Sequence, residues 1–430
     1  MLKLILGGLF MTFNRIVAVK FGGKALSNGY GIRKAAEMVA DAFKRGIKPI
    51  VVVSAMGNTT DELLNIIKEA TDGVVSSEIV DDIVSMGERT SARILASALR
   101  SLGLESIYLD PSMEDWPIVT NSKFGNADPL IPETFKRIRS VLLPLLEKNV
   151  IPIIPGFVGK TPDGRITTLG RGGSDLTALL IGEALELKEV VLVSDVDGIM
   201  TGDPKIVESP KVLREIDAKS LIGLADSGVK FIKRKTLKYK TPETDIRIIS
   251  FKNGSIDVEG TTIKGSFSNP ISNSRFEIEM YGEPIAALTV VGKGISSRPE
   301  VLAEVLKSIN EVDAQPVGLT TDSESIILYV PESKSVDIAK RVHNTVLKNS
   351  DVLIAVALRR DLTLISIKGI GLEETPGILG KVTEPLGREG INIHGIFTIT
   401  STINVVVNRK DAERVYKLMT DILSTVNGND

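Results

Sequence analysis

From residue 15 to about residue 265, short apolar runs alternate with helical periods. Ile16–Lys20 reads as a strand, followed by Gly22-Gly23 and a helix over Ile32–Lys44. Pro49–Ser54 (PIVVVS) has the length and Val/Ile content of a buried strand, with a helix near Asp61–Ala70 and a long helical period over Glu78–Leu102. Ile151–Ile154, Val190–Ser194 and Ile246–Ser250 are further strands, and Ser174–Leu187 is a further helix. Strands apolar throughout are buried on both faces, so this part is predicted to be α/β, a three-layer αβα domain around a mostly parallel sheet.

Around Asn269–Glu279 (NPISNSRFEIE) the period is lost, and two similar small patterns follow. The first has a strand at Ala286–Val291, a loop Gly292–Pro299, a helix at Glu300–Ile309 and a strand near Ser325–Val330. The second has a strand at Thr363–Ile367, a loop Gly369–Gly377, a helix at Ile378–Glu389 and strands at Ile393–Thr400 and Thr402–Val407. Each suggests a ferredoxin-like βαββαβ unit. The expected division is 14–270, 284–355 and 361–427, with a C-terminal strand as a candidate to complete the middle unit.

Composition narrows the chemistry. The 430 residues carry a net charge of −2, which disfavours a nucleic-acid partner. There is no cysteine, which excludes disulfides and thiolate chemistry and fits a cytoplasmic protein. The only histidines, His343 and His394, lie far down the chain, so catalysis must rest on Lys, Arg, Asp, Glu, Ser and backbone amides. No apolar run has the ~18 residues of a membrane span. Met1–Phe13 is apolar, like a short signal peptide, but it lacks a small-residue cleavage site and runs directly into the first strand, which disfavours secretion; a start at Met11 is the second reading.

Three Gly-bearing turns follow strands. In Lys20-Phe21-Gly22-Gly23, adjacent glycines let backbone amides approach a phosphate beside a cation; the alternative is a tight strand–helix turn. Gly170-Arg171-Gly172-Gly173-Ser174-Asp175 precedes a helix and so is predicted to offer anion-binding amides, unless Ser174 or Asp175 simply caps it. Arg171 between glycines suits bidentate carboxylate recognition. Ser194-Asp195-Val196-Asp197-Gly198-Ile199-Met200, continuing to Asp203-Pro204-Lys205, ends a buried strand, where open α/β sheets bind ligands; Asp/Gly-rich turns are also common. Glu88, within a helical period, reads by default as solvated. The run Lys230, Lys233, Arg234, Lys235, Lys238, Lys240 reads as a solvated basic face or as a phosphate contact. A Walker-type loop, a complete G-x-G-x-x-G and the protein-kinase signatures are all absent.

Together these segments resemble the amino-acid kinase superfamily and, within it, the aspartate kinases. The resemblance rests on Lys20 to Gly23, Val52-Val53-Ser54-Ala55-Met56-Gly57, Ser85-Met86-Gly87-Glu88-Arg89, Gly170 to Asp175, Ser194 to Lys205 and Gly228-Val229-Lys230, all in family order. The C-terminal repeats resemble ACT domains, the second in Thr375-Pro376-Gly377-Ile378-Leu379 and Gly390-Ile391-Asn392-Ile393. Two positions depart: Lys24 stands where the family usually has Thr or Ser, and Phe231-Ile232-Lys233-Arg234 replaces Val-Leu-His-Pro.

The resemblance implies transfer of the γ-phosphoryl of ATP to the side-chain carboxylate of L-aspartate, on the route toward lysine, threonine and methionine. It implies that Lys20, Gly22, Gly23 and Asp175 are catalytic, and that Ser54, Glu88, Arg171 and Ser174 bind the acceptor. Arg171 would take its α-carboxylate and Glu88 its ammonium. Ser194, Asp195, Met200, Lys205 and Lys230, with Lys20, would line the nucleotide side, and Mg²⁺ would arrive with ATP. Lysine or threonine is an expected effector, with Ser296, Ser297 and Gln315 as candidate contacts, in a homodimer or higher homo-oligomer. Two alternatives remain at this point: another acyl-phosphate-forming kinase, acting on glutamate or N-acetylglutamate, and an inactive kinase-like amino-acid sensor.

Overall fold

The computed structural model describes residues 15–221, 232–266, 276–369, 372, 376–399 and 401–427. The chain divides into two compact units, residues 1–272 and 273–430. Residues 1–14 and Lys230, on which two expectations fall, lie outside the described residues.

The first unit runs β1 (Arg15–Phe21), α1 (Gly29–Lys44), β2 (Ile47–Val53), α2 (Thr59–Thr71), α3 (Ser77–Ser101), β3 (Ser106–Tyr108), α4 (Ile131–Glu147), β4 (Ile151–Pro155), β5 (Val158–Lys160), β6 (Ile166–Thr168), α5 (Gly173–Ala184), β7 (Glu189–Ser194), β8 (Glu215–Asp217), α6 (Arg234–Lys238), β9 (Asp245–Ser250) and β10 (Thr261–Lys264). Its main sheet has the order β3-β4-β2-β1-β7-β9-β10-β8, parallel throughout except for the β9–β10 pair. Val17, Val19 and Phe21 of β1 alternate onto one face, where they join Val51, Val53, Val191 and Val193 under α1 and α3. On the other face Ala18 is small, and α5 packs on β1 and β7. Helices on both faces make this the expected αβα layering. The register sets Phe21 beside Val53 and Val193, and Ser194 beside Ser250, so the carboxyl ends of β2, β1, β7 and β9 open at one level.

The second unit is one antiparallel sheet of seven strands. It contains β11 (Glu277–Met280), β12 (Ile285–Gly292), α7 (Pro299–Asn310), β13 (Gly318–Thr321), β14 (Ser325–Pro331), α8 (Glu332–Lys348), β15 (Leu353–Lys368), α9 (Ile378–Arg388), β16 (Ile393–Ile399), β17 (Thr402–Asn408) and α10 (Ala412–Asn427). Strand β15 serves both repeats: Leu353–Leu362 pair with β12, and Leu362–Lys368 pair with β17 on one side. On the other side Ile365–Lys368 pair with β11. Each repeat is therefore a complete ferredoxin-like unit, ordered β13-β14-β12-β15 and β16-β17-β15-β11. This corrects the expected C-terminal strand: the last described element is helix α10, and the middle unit is closed by the first part of β15. The expected break between residues 355 and 361 falls inside one strand. A bulge near Arg359–Leu362, with Asp361 at φ 59°, carries the strand from one repeat into the other. Among the described residues no helix is long and apolar enough to cross a membrane.

Candidate active site

At the carboxyl ends of β1 and β7 lies a cleft of about 310 Å³, lined by Lys20, Gly22, Gly23, Lys24, Asp175, Ser194 and Asp195 among others. Open α/β sheets bind ligands at this end. Lys20, the penultimate residue of β1, places its Nζ 2.7 Å from Asp175 Oδ1 in the first turn of α5; the two side chains are only 15% and 14% exposed. The turn after β1 is tight: Ala25 and Leu26 donate their amides to the Gly22 carbonyl. A Cβ at Gly23 would lie 2.6 Å from the Ala55 carbonyl oxygen, so only glycine lets the two loops meet this closely. The expected pair of free amides is halved, because Gly22 N–H donates to Val193 O at 3.3 Å.

Glu88 departs from its default reading. It is 4% exposed on α3, and its Oε2 has no hydrogen-bond partner. Burial pushes its carboxyl up to about 7, against the pull of the Ala55 amide and the Lys20 charge. A buried carboxylate oxygen without a donor is costly, and a ligand ammonium would satisfy it. The neighbouring Arg89 does not serve it: Arg89 Nε and Nη2 hold Asp110 at 3.2 and 3.0 Å, and Arg93 joins the same carboxylate. Burial raises the Asp110 pKa, but the Ser112 amide and the two-pronged Arg89 contact outweigh it, and the carboxyl falls to about 2.

The Gly170–Asp175 loop is held from below. Thr168, just before it, gives its amide and hydroxyl to the buried Asp81 carboxylate, both at 2.8 Å. Lys235 of α6 donates to Ala127 O at 2.7 Å, Leu169 O at 2.9 Å and Asn126 Oδ1 at 2.8 Å. Gly172 has φ 84°, and a Cβ there would meet Lys233 Cγ at 2.5 Å. The anion-binding amides expected at the start of α5 are largely engaged: Gly173 N–H donates to Gly170 O, and Asp175 and Leu176 N–H donate to Gly172 O. Arg171 projects exposed from the tip of this loop, while Ser174 is buried.

The cleft thus gathers Lys20, Gly22, Gly23, Asp175, Ser194 and Asp195. Ser54, Glu88, Arg171, Ser174, Met200 and Lys205 lie outside its lining. Ser54 follows β2 and donates its amide to Phe21 O; Met200 bridges Val212; Lys205 is exposed, with its amide on Asp203 Oδ1. The basic run is not the expected solvated or phosphate-facing stripe at Lys235 or Lys240. Lys240 is fully buried, donating to the carbonyls of Thr241, Thr244 and Gly265. In the second unit Ser296, Ser297 and Gln315 are exposed. The loop amides expected to be free there are mostly engaged, those of Gly292, Lys293, Ile295, Ser297 and Arg298 each meeting a backbone carbonyl. The counterpart loop Gly369–Gly377 falls largely outside the described residues. Sequence reading missed Asp81 and the parts played by Lys235 and by Lys24, whose Nζ lies 2.8 Å from Asp195 Oδ2.

A parallel αβα sheet with a lysine–aspartate pair at its carboxyl edge defines a class: the chain belongs to the Amino acid kinase family, whose profile matches residues 15–250. An ACT domain profile matches residues 365–421. The chain is similar to the aspartokinase of Mycolicibacterium smegmatis, 29% identical over 408 residues covering 93% of each protein. It is equally similar to the aspartokinase of Corynebacterium glutamicum, 29% identical over 411 residues and again 93% of each. Among solved structures, aspartate kinase from Synechocystis superposes with a TM-score of 0.76 at 21% identity, over 95% of this chain and 69% of that one. E. coli aspartokinase III, described in complex with aspartate and ADP, gives 0.53 at 24% identity, over 95% of this chain and all of that one. These likenesses establish the fold.

Proposed function

We propose that this chain is an aspartate kinase, converting ATP and L-aspartate to ADP and 4-phospho-L-aspartate. The observation that carries the reading is the Lys20–Asp175 pair in the cleft, with the buried, donor-seeking Glu88 carboxylate within the electrostatic reach of Lys20. Relatives named aspartokinase align over 93% of the chain.

A side-chain oxygen of aspartate, already ionised, attacks the γ-phosphorus, so no general base is needed. The new O–P bond forms as the bond to the β-phosphate oxygen breaks, and that oxygen leaves with the electron pair as part of ADP. Such a transfer asks for positioning and charge stabilisation. Lys20 supplies the cation at the transferred group, oriented by Asp175, with the Gly23 amide beside it. Glu88 receives the substrate ammonium and Arg171 its α-carboxylate, with Ser54 and Ser174 bordering the acceptor. Ser194, Asp195, Met200, Lys205 and Lys230 belong to the nucleotide side. Mg²⁺ would arrive with ATP, held largely by phosphate oxygens; Asp195 is the nucleotide-side carboxylate of the cleft available to it, and the ion would offset phosphate charge. Use of ATP as co-substrate fits a cytoplasmic enzyme.

The second unit senses an amino acid, lysine or threonine, and restrains the kinase within a homodimer. E. coli aspartokinase III, whose T-state structure is described with lysine and aspartate, supports this reading. The test of the activity is steady-state ADP release with Mg²⁺ and aspartate, glutamate, N-acetylglutamate or no acceptor. Aspartate-dependent release is expected. A preference of about tenfold for glutamate, ~1.4 kcal/mol in transition-state binding, would reassign the substrate. Absence of release with every acceptor would leave an inactive sensor.

A further inference from the structure

Lys24 occupies a place for which the reaction as described has no use. It follows Gly23 in the turn after β1, and its ammonium crosses the mouth of the cleft to Asp195, just beyond the end of β7, at 2.8 Å. Because β1 and β7 are neighbouring parallel strands, this contact clasps the carboxyl edge of the sheet over the cleft. The two lysines of the cleft differ in kind. Lys20 and Asp175 are both nearly enclosed, whereas Lys24 is 78% exposed and Asp195 47%. An exposed pair of this sort is weak and costs little to open. The cleft lining carries two lysines and two aspartates, each lysine already matched by one carboxylate. A nucleoside triphosphate brings a surplus of negative charge into that balanced lining. The ammonium best able to answer it is the one on a long, free stem held by a weak partner, and a charge-assisted bond to phosphate is stronger than the one it gives up.

We propose that Lys24 is a phosphate-binding residue of the nucleotide cleft, released from Asp195 to a phosphate oxygen when a nucleoside triphosphate enters. This rests on the kinase reading of the same cleft. Asp195 acts as the holder that keeps the ammonium at the cleft mouth while no nucleotide is bound.

The test measures nucleotide binding to the full chain by calorimetry without an acceptor, so the identity of the acceptor does not enter. MgATP and AMP are titrated into the wild type, Lys24→Thr and Lys24→Arg, at low and high salt. Lys24→Thr is expected to weaken MgATP binding about tenfold and AMP binding by less than about twofold, with the MgATP difference shrinking in high salt. Lys24→Arg keeps the cation and is expected to stay within about threefold of the wild type for MgATP. Unchanged MgATP affinity in Lys24→Thr overturns the proposal. Equal loss of MgATP and AMP also overturns it, since that marks a misshapen cleft. A wild type that binds neither nucleotide removes the kinase reading together with this role, whereas wild-type binding with an indifferent Lys24→Thr removes this role alone.

Discussion

Lys20 on the first strand and Asp175 on the fifth helix form a 2.7 Å ion pair, each side chain largely shielded from water. The pair joins the Gly22-Gly23 turn to the Gly170–Asp175 loop, the two segments richest in glycine near the sheet edge. Shielding strengthens the interaction and fixes where the ammonium stands before substrate arrives.

Lys20→Met is therefore expected to cut kcat by at least ~100-fold, the usual loss when one preorganised charge-stabilising donor is removed. Both KM values should change far less. Asp175→Asn keeps the shape but frees Lys20, and a smaller fall in kcat is expected. Steady-state kinetics with both substrates varied check this, and a large rise in KM at unchanged kcat would make Lys20 a binding residue only.

Glu88 predicts two opposite pH trends. Its carboxyl titrates near 7 in the native protein, above the ordinary 4.5, because burial disfavours the charge. Between those values the folded chain holds a proton that the unfolded chain has lost, so the Glu88 contribution to stability declines as pH rises from 4.5 to about 7. Aspartate binding moves the other way, improving as the carboxylate forms to meet the substrate ammonium. Glu88→Gln should flatten both profiles and raise the aspartate KM by ~10- to 100-fold, the equivalent of about 1.5–3 kcal/mol for a bond to a charged group. Chemical denaturation and kcat/KM across pH 5 to 8 measure the two trends.

Arg171→Ala is expected to raise the aspartate KM while ATP affinity holds, and Arg171→Lys should fail nearly as badly, since a point charge does not replace the two-pronged guanidinium. The loss is expected near ~2–5 kcal/mol if the residue closes onto its carboxylate partner in the filled site. Loss of ATP binding instead would put Arg171 on the nucleotide side.

Lysine, threonine and methionine titrated into the full chain should reveal an inhibitor. A tenfold drop in activity needs a coupling of only ~1.4 kcal/mol between the units. Ser296→Ala with Gln315→Ala should weaken that response without changing activity in the absence of effector. If no amino acid shifts activity or Tm, the C-terminal unit loses its sensing role and is better read as a dimerisation module.

What was legible in the sequence was what periodicity carries. The apolar strands from β1 to β9 and the glycine turns behind them placed Lys20 and Asp195 at the sheet edge correctly. Contacts made by polar groups with backbone were invisible. Lys235 and Lys240 read as solvated because nothing in a basic run reveals the carbonyls that will receive it. Glu88 read as exposed because the buried face of α3 around it is built from Ser85, Gly87, Ser91 and Ala92, small residues that give little apolar signal. The expected break between residues 355 and 361 fell inside β15, where Arg359, Arg360 and Asp361 interrupt the apolar pattern; in the fold these residues are exposed at its bulge, where charge costs nothing.

The nesting of the two repeats sets the order in which the C-terminal unit can be finished. Strand β11 precedes the whole first repeat in the chain, yet it pairs with the far end of β15. A ribosome delivers it early and its partner late, so Ile278 and Met280 wait without a sheet while β12 through α8 emerge and fold between them. The first repeat can close as soon as Leu353–Leu362 appear; the second is sealed only when its opening and closing segments meet across a finished neighbour. Translation halted between the repeats thus leaves one folded body with a loose apolar thread at its entrance, a species for chaperones and proteases to recognise.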